Sequence, residues 1–310
     1  MLSALATSAV PNFQVVSAQT LPGNELDVAL VHDVNRASWI VELPRSDEAE
    51  SRSVKKIRAV RALGDGIRSR LTFRLPKIAG TSAVGSRTLS VFEFLGGNTP
   101  SSGTMSAEIA ESIGKATAEI HNLPQGSLED FDLPSVSAIQ SARECTEIVD
   151  RAAATGLLTK ILLRRWETAC EDPELWQFQP AIVNGSLKMD SFMIENQEVT
   201  AIDNWEEVHL GDPAKDLAWL TSADTDRFAG AIYSAYRVAR SGLDKWAIQR
   251  ARFYAELDLA KWLLHGIEEQ SSAISSDAVD MLNELSDRVV EDPERALTLS
   301  VSEAKHPLER

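Results

Sequence analysis

Residues 180–220, PAIVNGSLKMDSFMIENQEVTAIDNWEEVHLGDPAKDLAWL, set four aspartates among short apolar strands, polar loops and a Gly-Asp-Pro turn. That spacing suits phosphoryl transfer, whose loose transition state asks mainly for positioning and charge neutralisation. The reaction needs a Lys on the nucleotide phosphates, an Asp to orient the acceptor hydroxyl, and an Asn and a second Asp to hold Mg²⁺. Where those last three would stand, this chain has Ser186, Ser191 and Asn204. Ser186 has no basicity with which to orient a hydroxyl. Ser191 and Asn204 offer only neutral oxygens to a cation usually held through one or two carboxylates. The frame is present and the working groups are replaced.

The elements that must position these residues can be read from periodicity. FQVVSAQTL, ELDVALVHD and ASWIVELP alternate as strands separated by turn-prone PGN and VNR, a three-stranded antiparallel meander. Residues 47–63 switch to helical spacing, with Val54, Ile57, Val60, Ala62 and Leu63 expected on the core face. Asp47 and Glu48 are favourably placed at its amino end. FRLPKIAGTSAVG and RTLSVFEFLGG return to strand character and stop at Gly-Gly. From about residue 104 the chain is largely helical apart from an island of strands at 181–203. One helical run, SAEIAESIGKATAEIHNL, carries Ile109, Ile113, Ala116 and Ile120 on one stripe. Trp166, Trp176, Trp219, Trp246 and Trp262 occur at helical spacings and are expected in the core. His121, His209 and His265 are scattered and read as packing or surface residues.

The expected fold class is α+β, with a β-rich lobe at 13–97, a helical lobe at 98–290 and a polar tail at 291–310. A chain of 310 residues can bury a core for two such lobes. Residues 1–100 hold 12 Lys/Arg against 9 Asp/Glu, so the net charge of −15 comes from the rest of the chain. An acidic surface repels nucleic-acid phosphates and would attract a cationic partner or ligand. Cys145 and Cys170, the only cysteines, are too few for a disulfide framework and read as buried helix thiols of a reducing compartment. The opening MLSALATSAVPNF lacks a basic n-region and is too short to span a membrane, so a cytoplasmic location is expected. No Rossmann or P-loop glycine signature occurs; GSLKMDS lacks the Gly-Lys-Ser/Thr ending.

AEIHNLP, GDPAKDLAWL and YAELDLAKWLLHG, together with the 180–220 segment, make the chain resemble the aminoglycoside/macrolide phosphotransferase family over about residues 13–290. The resemblance implies a two-lobed protein-kinase-like fold: five strands and one helix, then a larger helical lobe whose catalytic segment lies at 180–216. It puts Ser186 at the catalytic Asp, and Ser191 and Asn204 at the metal ligands. In the third strand, Glu42 of SWIVELPR takes the place of the nucleotide-clamping basic residue. Lys56, with Lys55 as the neighbouring alternative, takes that of the helix Glu, so the ion pair would be reversed. Glu93, Phe94 and Leu95 correspond to the inter-lobe stretch whose backbone receives adenine, and Gly23 alone represents a glycine-rich lid. Asp212 and Asp216 correspond to structural carboxylates that brace the catalytic loop.

Four altered positions favour a pseudokinase that binds a small molecule, a nucleotide or a protein partner without transferring phosphate. In a second reading, Asp190 and Asp203 rebuild a non-standard metal site, and ATP and Mg²⁺ serve transfer to a hydroxylated or cationic acceptor. The first of these readings makes Asp203 a hairpin carboxylate facing solvent or Lys188. In a third, the acidic helical lobe is a scaffold for a basic protein. No nucleic-acid or membrane partner is expected.

Overall fold

Alternating apolar residues and two tight turns build an antiparallel meander of β1 (Val15–Leu21), β2 (Leu26–Asp33) and β3 (Ser38–Pro44). β4 (Ile78–Val84) and β5 (Arg87–Glu93) complete the sheet in the order β1-β2-β3-β5-β4, so β3, with Glu42, is central. The computed structural model describes residues 2–128, 133–221, 226–242, 244–292 and 296–298. Between β3 and β4 runs α2 (Asp47–Ala62), capped by the Ser46 side chain, with Asp47, Glu48 and Glu50 in its first turn. Carboxylates there oppose the positive end of the helix dipole. Ile57 and Val60 pack on Phe92 of the sheet, and Ala62 and Leu63 join the main core. Val54 is half exposed instead: Ser53 and Ile57 take the sheet-facing stripe, and Val54 lies one helical step round from it.

The other face of the sheet is closed by a helix the opening residues did not announce. α1 (Leu2–Ala9) lays Ala6 and Ala9 against Val31, Val41, Leu89 and Val91. Its carboxyl end approaches β4 so closely that a Cβ on Gly80 would lie 1.9 Å from the Ala9 carbonyl oxygen. Only glycine leaves room there.

The helical lobe comprises α4 (Ala107–His121), α5 (Ala138–Ala154), α6 (Lys160–Glu171), α7 (Asp226–Ala239), α8 (Ala247–Glu268) and α9 (Ser272–Glu291). A short turn, α3 (Asp65–Arg68), precedes β4. Ile109, Ile113, Ala116 and Ile120 of α4 are all buried, with Trp166, Trp176 and Trp246. Trp219 is partly buried against this core, but Trp262 is exposed, its indole donating to Asp277 and stacking on His265. Cys145 is buried and Cys170 half-buried, both as free thiols. The expected tail at 291–310 begins differently: α9 extends to Glu291, and Leu297 is buried in the core. Among the described residues no helix is long and apolar enough to cross a membrane.

The strand island forms two small pairs. β6 (Ala181–Val183) pairs with β9 (His209–Gly211), and β7 (Phe192–Glu195) with β8 (Glu198–Ile202). The β7–β8 hairpin is sewn to the first lobe's surroundings at both edges. Ile194 exchanges backbone hydrogen bonds with Asn98, and the Arg74 backbone bonds Thr200 and Ile202. These bonds hold the end of β8 beneath the sheet, which is what places residues 203–204 in the cleft.

Candidate functional site

Asp216 organises the loop after β6. Its carboxylate accepts from the amides of Asn184 and Gly185, both at 2.7 Å, and lies 3.0 Å from His121 Nε2. His121 Nδ1 meets the Tyr236 hydroxyl at 2.8 Å, so every polar atom of this buried group is used. Gly185 adopts φ +86°, and a Cβ on it would meet the Glu207 carbonyl oxygen at 2.4 Å. The chain can turn here only as glycine. Asp212, fully buried, receives Arg250 Nε at 2.6 Å, Tyr254 Oη at 2.9 Å and the Ala214 amide at 2.9 Å. Arg250 is itself completely buried and continues to Asp244. Both aspartates are therefore spent on holding backbone and neighbouring elements.

The loop they hold is self-satisfied. Ser186 Oγ donates to the Asn204 carbonyl at 3.0 Å and lies 3.3 Å from Asn184 Oδ1. Ser191, completely buried, accepts the Lys188 amide at 3.1 Å and the Asn204 side-chain amide at 3.0 Å. Asn204 stands at φ +63°, the left-handed region that Asn tolerates better than most residues. Its left-handed turn lies beyond the end of β8, so Asp203 and Trp205 do not follow strand alternation. Trp205 enters the core, and Asp203 lines the inter-lobe cleft.

Above the loop, Lys56 Nζ lies 2.9 Å from Glu42 Oε1, and the side chains keep only 13% and 9% of their surface exposed. Lys55 instead reaches Glu207 at 3.4 Å on the surface. Burial alone would lower the Lys56 pKa, but the carboxylates of Glu42, Asp203 and Glu206 outweigh it and hold the ammonium above its ordinary value. Burial raises the Glu206 carboxyl above the usual range; Lys56 opposes the shift, and Asp203 and Glu42 add to it. Of the three, Glu42 is the carboxylate in contact with the ammonium.

The cleft is a cavity of about 240 Å³, lined by Ile40, Glu42, Lys56, Phe92, Met193 and Asp203 and by the stretch Glu93–Gly97. Backbone groups of that stretch are occupied: the Glu93 amide donates to the Lys77 carbonyl, the Phe94 amide to the Ser38 carbonyl, and the Leu95 carbonyl accepts from Arg74. The β1–β2 turn is likewise tied down, since Arg45 Nη1 donates to the carbonyls of Gly23 and Asn24.

Residues 18–254 match the sequence profile of the phosphotransferase enzyme family. The chain belongs to this family. The fold agrees. It is similar to apo macrolide 2'-phosphotransferase MphH from Brachybacterium faecium, with a TM-score of 0.75 at 19% identity over 91% of this chain and 97% of that one. It is also similar to macrolide 2'-phosphotransferase type I, with a TM-score of 0.72 at 19% identity over 91% and 95%. The GDP complex of wild-type aminoglycoside 2'-phosphotransferase-IIIa gives 0.73 at 16% identity over 93% and 99%. No curated protein matches the sequence significantly.

A nucleotide phosphotransferase of this family would need Mg²⁺ and nucleotide phosphates in the cleft, and the residues present do not fit them. Ser191 and Asn204 are hydrogen-bonded to each other. Asp190 is exposed in the 3₁₀ turn Met189–Ser191 and does not line the cleft, whereas Asp203 does. Among the described residues no three His, Cys, Asp or Glu side chains converge as a metal site. Asp203 is half-buried and lines the cleft, where strand alternation ends at Ile202. His209, read as a packing residue, is buried with Nδ1 on the Glu207 carbonyl. Sequence reasoning missed Glu206 and Arg74. Their only signal was position: Glu206 follows the Asn204-Trp205 pair in the loop, and Arg74 lies ahead of a strand, where neither periodicity nor spacing marks a side chain.

Proposed function

We propose that this protein is a phosphotransferase-family member that binds a small molecule in its inter-lobe cleft and does not transfer phosphate efficiently. The observation that carries the reading is the 3.0 Å hydrogen bond from Asn204 Nδ2 to Ser191 Oγ. It joins the two positions that resemblance assigns to the metal, and neither residue supplies the carboxylate that Mg²⁺ favours. Ser186 adds no base, and its hydroxyl is already given to the Asn204 carbonyl. Glu42 places a carboxylate where a cation would meet triphosphate oxygens, and at a partly desolvated site such repulsion costs several kcal/mol on an order-of-magnitude basis.

The test is a transfer assay on the full chain with labelled ATP or GTP, Mg²⁺ or Mn²⁺, and an aminoglycoside and a macrolide as acceptors. These are the compound classes in the names of the structurally similar enzymes. A macrolide 2'-phosphotransferase serves as positive control. Nucleotide consumption and acceptor modification at background are expected. Multiple turnovers on either acceptor would overturn the reading.

A further inference from the structure

The outermost strand of the first lobe, β1, has an open edge. Among the described residues it pairs with β2 alone, so every second amide and carbonyl points away from the sheet. The side chains of Val16 through Thr20 are all exposed, Val16 at 67%. The register slips once, at Val16, and is regular from Ser17 to Leu21. The opposite edge, β4, is protected. It bulges at Ala79, the carboxyl end of α1 lies against Gly80, and Ser82 Oγ meets Ser8 Oγ at 3.0 Å. Edge strands are ordinarily blunted by charge, proline, bulges or a covering element. β1 has only the bulge at its start: VVSAQTL holds no charged residue and no proline, and the first charged side chain of the whole chain is Glu25.

We propose that β1 pairs antiparallel with β1 of a second copy of this chain, so that two five-stranded sheets run on as one across a two-fold axis. Charge selects the occupant. Each copy carries a net charge of −15, so two copies repel wherever their acidic faces meet. Residues 1–24 carry no charged side chain, and the β1 edge lets two copies approach without opposing like charges. The carboxylates just beyond the strand are neutralised within the chain, Glu25 by Arg52 and Asp27 by Arg45. The strand is also self-complementary. Centred on Gln19, antiparallel pairing sets Ser17 opposite Leu21, Ala18 opposite Thr20 and Gln19 opposite its twin, with no charged pair among them. This inference rests on the sheet edge and is independent of what the cleft binds.

Sedimentation equilibrium of the full chain at micromolar concentration near neutral pH is expected to show a reversible monomer–dimer equilibrium. Ser17→Lys combined with Gln19→Lys puts two cations on one face of the strand, so that paired copies repel in any register. Both side chains are exposed, so the double variant should keep the parent's Tm while dimerising roughly tenfold or more weakly. Ser17→Glu with Gln19→Glu should behave alike. Mixing the two double variants should restore a dimer with one copy of each, a rescue that a folding defect does not produce. A parent that stays monomeric would overturn the proposal and leave a strand of a different protein as the occupant to seek. A dimer unchanged in either double variant, or a mixture that stays monomeric, would overturn it as well. Should a double variant not fold, hydrogen exchange of the parent decides: the β1 amides should exchange more slowly as concentration rises, and rates independent of concentration would reject the pairing.

Discussion

Lys56 on α2 and Glu42 on β3 form a nearly buried ion pair at 2.9 Å, with the base on the helix and the acid on the strand. The polarity is opposite to the one that family resemblance assigns to a nucleotide clamp. The tether between helix and sheet is kept with acid and base exchanged, and both side chains line the cleft. Lys56 also sits over the Phe92 ring at 4.8 Å, so the pair is backed by an aromatic face.

Removing Lys56 should cost more stability than removing Glu42. Lys56→Met leaves three carboxylates without their common cation, and breaking a buried pair from one side costs about 3–5 kcal/mol. Glu42→Gln leaves Lys56 with Asp203 and Glu206 and should cost clearly less. Because the folded state raises Lys56 above its ordinary 10.5, its stabilisation is complete below that pH and fades as pH climbs through the folded-state value. Urea midpoints from neutral to alkaline pH should fall less steeply for Lys56→Met than for the parent.

Glu206 works in the opposite sense. Burial raises its carboxyl above the usual 4.5, so the native state keeps a proton that the unfolded chain has released. Stability then falls as pH rises through that window. Glu206→Gln should be more stable than the parent at neutral pH and close to it near pH 4, a crossover that thermal melts at the two pH values would register. Equal effects at both would assign the change to packing.

Asn204 combines a left-handed backbone with a side-chain bond to buried Ser191. Asn204→Ala should lose about 1–2 kcal/mol through backbone strain and the missing donor. Asn204→Gly relieves the strain and should recover part of the loss. A denaturant series on the three proteins separates the contributions; identical losses for Ala and Gly would leave the hydrogen bond as the whole effect.

Asp216 should be the most sensitive position of the loop. Asp216→Ala would strand the Asn184 and Gly185 amides and His121 in a buried setting. With about 1–3 kcal/mol for each unsatisfied group, a loss of at least roughly 3 kcal/mol is expected. Hydrogen exchange should show the Asn184 and Gly185 amides opening while the helical core stays protected. Retained protection at both amides would contradict the bracing role.

Much of this molecule was legible in its residues. Period-two and helical spacings located the five strands and the long helices, because each must bury one face. The Ser186, Ser191 and Asn204 replacements were visible because flanking Gly185, Trp205 and Gly211-Asp212-Pro213 hold the count. Helix faces were read well at Ile109, Ile113 and Ile120 and less well at Val54, where Ser53 and Lys56 share the inward stripe. A polar residue on a buried face defeats a pattern drawn from apolar ones. α1 was missed since its small, apolar residues make sense only against the sheet that they cover.

The sequence alone determined the family, the order of the elements and the residue types, Ser186, Ser191 and Asn204, at the positions that the resemblance assigns to catalysis and metal. Those follow from local spacing and residue chemistry. Tertiary structure alone decided that Asn204 closes onto Ser191, that Asp203 turns into the cleft, and that Arg74 and Arg45 occupy the backbone carbonyls of Leu95 and Gly23. Each depends on a partner far along the chain or on a left-handed residue that breaks strand alternation. Long-range closure, which periodicity does not encode, sets where a polar side chain finds its partner.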